Sequence, residues 1–238
     1  MGLISKDQKS GSFAESFLSI LQQDSNLQVE DVSSGVAEVL SIKFQKEQEL
    51  TKNAAQVSSI VLKNHLIPLI EDIIQEEKQV THSKISLECE ELLSSPEKIK
   101  ELLPKGLHAD EVDCCYAPII MSGGKYDLRP SASSNSDKLK YDTIVVSLGA
   151  RYHSYCSNIS RTLFINASSE QEKAYRLLTK VHHVAIQACV PGAKVSDIYK
   201  AALAVIQSKD PEKESNFVKN CGFGVRHCCC PSHGLDWS

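Results

Sequence analysis

The 238 residues include one tryptophan and two methionines, and aromatic residues make up only 6% of the chain. No apolar run approaches membrane-spanning length, which argues against a transmembrane protein. A surplus of positive charge is also missing: 26 Lys and Arg against 30 Asp and Glu leave a net charge of -4. A general nucleic-acid binder would show a basic stripe; a basic protein partner stays compatible with this balance. The opening "MGLISKDQKS" has no apolar signal core, and Lys6 stands where the myristoylation pattern wants Ser or Thr. Cysteine is not scarce. Nine are scattered, and an odd count in a chain without a signal peptide fits reduced intracellular thiols better than a disulfide framework. The sequons at Asn158 and Asn166 are then read as chance.

What is present reads as a mixed helix and strand pattern. "SFAESFLSILQ" over 12–22 is an amphipathic helix, and a strand-like piece and a short helix around Gly35 to Leu40 follow. From Gln45 to about Lys78 the period is helical, with Pro68 expected to kink or split the stretch. Further helices are expected to open at Thr81–Ser83 and at "SPEKIKELL", with Ser95 as N-cap and Pro96 in the first helical position. After Gly106 come a strand "VDCCYAPIIMSGG", a polar loop and a hairpin "YDTIVVSLGARYHSYCSNISRTLFI" turning at Gly149. A helix capped near Ser168 or Ser169, another after Pro191-Gly192, and a last strand starting at "NFVKNCGFGV" complete the pattern. Cys114-Cys115 in the strand would place one thiol in the core and one facing out.

The hairpin carries the chemical question. Ser147 and Asn158 lie eleven residues apart on facing strands, where two carboxylates could grip a metal ion together. A cocatalytic pair of dications about 3.5 to 4 Å apart repels strongly, near 20 kcal/mol at an effective dielectric of about 20, so it needs several carboxylates. A hydroxyl and an amide bring oxygen atoms without that charge.

The order helix, helix, "SGGKYDLRPSASSN", "SLGARYHSYCSNISRT", "EKAYRLL", "VPGAKVSDIYKAA" resembles the pita-bread fold of methionine aminopeptidases, aminopeptidase P and creatinase. In those enzymes the first two metal-binding Asp residues fall where this chain has Ser147 and Asn158. Ser157, Arg161 and Thr162 match the pattern around them. The segment from Ser122 to Asn135 resembles the substrate-side loop, without the His that the peptidases carry there. The two longest motifs resemble the large subunit of the FACT histone chaperone, particularly its plant forms, whose amino-terminal domain looks like an inactive aminopeptidase.

That resemblance covers about residues 27 to 225. It implies an α+β pita-bread fold, a curved antiparallel sheet with helices on one face, carboxy-terminally incomplete. The expected organisation is a remnant of the amino-terminal lobe over 1–42, the peptidase-like domain over 43–225, and an atypical Cys-rich tail over 226–238. The implied function is that of a non-catalytic histone chaperone component acting in nucleosome reorganisation during transcription, replication and repair, in the nucleus and on chromosomes. The implied partners are histones or nucleosomes and the small HMG-box subunit of the complex, with no membrane, cofactor or metal. Ser147 and Asn158 are the lapsed metal positions. The alternatives are a metallo-aminopeptidase, or a truncated product without independent function. In the tail, His227, Cys228, Cys230 and His233 are zinc-type ligands, but adjacent cysteines point apart and the spacing is wrong for a structural zinc site.

Overall fold

The structure, a computed structural model, describes residues 2–3, 11–23, 28–129, 131–218 and 221–222. The chain divides into two units, residues 1–49 and 50–238.

The first unit contains a two-residue strand β1 (Gly2–Leu3) paired in parallel with β2 (Glu30–Asp31), and the helices α1 (Ser12–Gln23) and α2 (Ser33–Ser41). Its apolar side chains are poorly covered: Phe13, Ile20, Val39, Ile42 and Phe44 are all exposed, while Leu21 and Ala37 are buried.

In the second unit a helical layer precedes the sheet. Helix α3 (Gln45–Val61) begins just before the unit boundary and runs into one wide π-helical stretch, Leu62–Leu66, and then into α4 (Ile67–Gln75). Pro68 sits in the first turn of α4, where its missing N–H costs little. The π stretch just before it takes up the change in hydrogen-bond pattern, so the helix is split rather than ended. Helix α5 (His82–Leu93) is capped by Thr81, whose hydroxyl accepts from the Lys84 amide. The short α6 (Pro96–Ile99) follows Ser95, although the Ser95 hydroxyl makes no capping bond.

The sheet comprises β3 (Val112–Met121), β4 (Thr143–Tyr152), β5 (Tyr155–Cys156) and β6 (Ile159–Phe164), all antiparallel, with β4 in the middle. β5 and β6 lie end to end along one side of β4 in one register, and β3 lies along the other. Along β4 the residues alternate. Ile144, Val146, Leu148, Ala150 and Tyr152 are buried against Val57, Val61, Leu66, Ile70, Ile85 and Leu93 of the helical layer. Ser147, Gly149 and Arg151 therefore face the opposite side, away from the helices. The pleat alone places them there.

Gly149 is not a turn residue. It lies inside β4, and the reversal comes at His153 and Ser154, both with positive φ (47° and 71°). Two such residues in succession build the tight turn that glycine usually supplies.

β3 is irregular. Its pairing with β4 slips between Cys114 and Tyr116 and again between Tyr116 and Ile119. Pro118, which has no amide to donate to the ladder, falls in the second slip. The first slip leaves both Cys114 and Cys115 half-buried instead of one in and one out. Along the β3 backbone, the Ser134 hydroxyl accepts from the Ile120 amide (2.9 Å) and donates to the Pro118 carbonyl (3.0 Å), and the Ser86 hydroxyl donates to the same carbonyl.

After the sheet, α7 (Ser169–Ala188) opens with a complete capping box between Ser168 and Gln171, and α8 (Val195–Lys209) packs back on it through Val181, Ala202 and Ile206. A 3-10 turn, Pro211–Asn216, follows. Of the expected last strand, Asn216 ends the 3-10 turn and residues 217–218 and 221–222 are not in a strand; residues 219–220 and 223–225 and the whole 226–238 tail, with His227, Cys228, Cys230 and His233, lie outside the described residues.

Candidate functional site

Ser147 and Asn158 do come together. In the β4–β6 register Ser147 faces Ser160 and Leu148 faces Ile159. Asn158, the next position along, shares the face of Ser147 as a diagonal neighbour. The Ser147 hydroxyl donates to the Asn158 carboxamide oxygen at 3.1 Å, and the Ser160 hydroxyl donates to Ser147 at 2.8 Å.

The third member was not foreseen from sequence. The slip at Cys115 brings Tyr116, on β3, opposite Gly149. Its phenol hydroxyl lies 2.8 Å from the Ser147 oxygen and donates a short hydrogen bond to Asn158. Gly149 makes this approach possible: a Cβ there would sit 2.7 Å from a Tyr116 ring carbon and 2.5 Å from the Ser157 carbonyl oxygen. Only two general features of the sequence bear on it, and neither names Tyr116. A proline inside a strand marks a bulge, and a glycine inside a strand marks a close approach.

Beside this cluster the Ser157 amide still donates to the Ala150 carbonyl (3.0 Å), but the return bond of the ladder is diverted. The Ala150 amide donates to the hydroxyl of Ser58 on α3 (2.9 Å), which is itself 2.6 Å from the Ser157 hydroxyl. Both serines are buried. A helix side chain thus takes a donor that would otherwise serve the sheet, and β5 and β6 are separated at Ser157–Asn158.

The substrate-side loop finds a histidine after all, from a distant position. His82, at the start of α5 and 2% exposed, sits 2.7 Å from the Asn135 oxygen through Nδ1 and 2.8 Å from the Ser122 hydroxyl through Nε2. The Asn135 oxygen also accepts from the Asp137 amide, and Ser122 from the Lys140 amide. Both ring nitrogens are engaged and enclosed, so His82 holds the loop ends together.

Whether these residues fit a dication is decided by charge. Tyr116, Ser147, Asn158 and Ser160 are neutral hydrogen-bonding groups whose hydroxyl protons are already committed. Hard cations and zinc are held by carboxylates, imidazoles or thiolates. Among the described residues no group of three or more His, Cys, Asp or Glu is arranged to hold a metal ion. The donor set does not fit. At the turn end of the hairpin Asp113 pairs with Arg151 and Glu111 with His153 (2.7 Å) around an open cavity of about 370 Å³, and at its other end the Asp142 carboxylate accepts from the Gly123 amide.

Comparisons with known proteins give the family and the fold. Metallopeptidase family M24 matches residues 49–233. FACT complex subunit SPT16 of Zea mays is 41% identical over 228 residues, covering 94% of this chain and 21% of the relative. The Arabidopsis thaliana subunit of the same name is 39% identical with the same coverage. The chain thus spans about a fifth of the length of the curated relatives it matches. The solved N-terminal domain of FACT complex subunit SPT16 from Cicer arietinum superposes with a TM-score of 0.90 at 37% identity, covering 97% of this chain and 54% of that one. Prolidase from Pyrococcus furiosus, at 19% identity and a TM-score of 0.68 over 95% of this chain and 59% of its own, shares the fold alone. The chain belongs to metallopeptidase family M24, in its pita-bread fold, and is homologous to the N-terminal domain of FACT complex subunit SPT16.

Proposed function

We propose that this chain is a non-catalytic chromatin protein, a histone chaperone component of the FACT large-subunit kind. It would work in the nucleus, on chromosomes, in nucleosome reorganisation during transcription, replication and repair. Its partners would be histones or nucleosomes and the small HMG-box subunit of such a complex. The observation that carries this is the neutral cluster of Tyr116, Ser147, Asn158 and Ser160 on the face of the hairpin where the peptidases place metal-binding carboxylates. With no anionic donors there, the hairpin has no means to polarise a peptide carbonyl or activate water. The SPT16 relatives supply the rest by kinship.

On this reading the cleft face is a docking surface. The hydroxyl oxygens can accept hydrogen bonds from the amides of an extended peptide, and the acidic balance of the chain favours a basic segment.

The test has two arms. Fluorescence titration with histone dimers or tetramers should give saturable binding, weakened by Asn158→Ala. Incubation with a panel of short peptides and added zinc, manganese or cobalt should give no hydrolysis. Metal-dependent turnover abolished by a chelator would overturn the reading in favour of an aminopeptidase, and absence of any histone binding would remove the docking role.

A further inference from the structure

We infer that Tyr116 actively keeps divalent ions off the β4–β6 hairpin, so that restoring carboxylates at Ser147 and Asn158 is not enough to recover a metal site. The Ser147 and Asn158 oxygens are 3.1 Å apart. An ion held at about 2.1 Å from both would subtend nearly the right angle that an octahedral ion prefers. The pair is therefore spaced as metal ligands are. The phenol oxygen of Tyr116 lies against both of these oxygens and donates its proton to one of them. It sits on the pair and gives Asn158 the hydrogen bond that replaces a cation.

The tyrosine is held there by the backbone. The slip at Cys115 brings it opposite Gly149, a second slip follows it, and its ring fills the space that a side chain at 149 would need. A substitution at 147 or 158 leaves that backbone unchanged. An ion would have to expel the phenol from a place fixed by strand pairing, with its ring confined over Gly149. This inference concerns the hairpin alone and stands apart from the histone reading.

The experiment compares Ser147→Asp/Asn158→Asp with the same pair carrying Tyr116→Phe, which removes the oxygen and leaves the ring. Isothermal titration with manganese and with zinc reads the binding, and far-ultraviolet circular dichroism checks that each variant is folded. The unchanged protein and Tyr116→Phe alone serve as controls. The double variant should show no saturable binding up to about millimolar ion, and the triple variant should bind one ion at least about tenfold more tightly. Asn158→Asp with Tyr116→Phe, a smaller change, should show the same direction if the triple variant folds poorly. Equal binding with and without Tyr116 would overturn the inference, as would binding by neither variant. Weaker binding after Tyr116→Phe would make the tyrosine a ligand instead, and would overturn it too.

Discussion

A methyl group at Gly149 would lie 2.5 Å from the Ser157 carbonyl oxygen and 2.7 Å from the Tyr116 ring, both closer than real Cβ contacts. Gly149→Ala must therefore displace the tyrosine or the strand, and overpacking of this kind costs about 1–3 kcal/mol. We expect a matching loss in chemical denaturation, partly restored by Tyr116→Ala in the same chain. A second residue-scale expectation concerns the thiols. Burial, with smaller contributions from neighbouring Cys114, Glu88 and Glu90, pushes Cys89 up to about 12, and burial with Glu90 pushes Cys114 up to about 11. A buried acid that keeps its proton while the unfolded chain releases it favours unfolding as pH rises. Stability from this source is level below about pH 9, the ordinary thiol value, and falls between about 9 and 12. The melting midpoint should drop over pH 9 to 11, less steeply in Cys89→Ala. At this scale the sequence was half legible. Ser147 and Asn158 could be located because the hairpin resembles the peptidase motif, whose two metal-binding Asp positions fall on them. Tyr116 could not, because its position depends on backbone slips, and "VDCCYAPIIM" reads as an unbroken strand. Gly149 was misread for the same reason: glycine signals both turns and close approaches, and the true turn at His153 and Ser154 has none.

Besides apolar packing, α3 is joined to the sheet through the Ser58 hydroxyl. Ser58→Ala leaves the Ala150 amide enclosed without its partner, while the Ser157 hydroxyl keeps the Ala150 carbonyl, and an unsatisfied buried donor costs about 1–3 kcal/mol. We expect that loss in denaturant melts; Ser58→Thr tests the hydroxyl itself, retaining more stability if the added methyl is accommodated. The α7–α8 hairpin is a different kind of element. It has its own small core of Val181, Ala202 and Ile206, while Leu178 and Ile186 are more than half exposed. Its ties to the sheet include Gln171 to Thr143 at 3.2 Å and the Phe164–Tyr175 ring pair. Native-state hydrogen exchange should show its amides opening at least about a hundredfold more readily than those of β4. Most of these elements were readable from periodicity and caps: the Thr81 and Ser168 caps and Pro68 stand at the boundaries they mark. The π-helical stretch was not, because it reflects how the chain accommodates a proline and leaves no pattern of its own in "LKNHL".

For the molecule as a whole, charge sets the behaviour of the proposed histone contact. A net charge of -4 spread over 238 residues is modest, and exposed charges are screened beyond about 8 Å at physiological salt. Affinity for basic histone segments should fall at least about tenfold between 50 and 300 mM salt, measured by the same titration; affinity that survives would place the contact on an apolar surface. The serine bonds along β3 have a consequence of another kind, for behaviour at high concentration. An open strand backbone invites strands of neighbouring molecules to add to it, the first step toward fibrils. Ser134 answers one amide and one carbonyl as an adjoining strand would, and Pro118 has no amide to offer. Ser134→Ala should leave the fold in place and shorten the lag before thioflavin-positive aggregates form, because the Ile120 amide would be open to a neighbouring strand while Ser86 still held the Pro118 carbonyl.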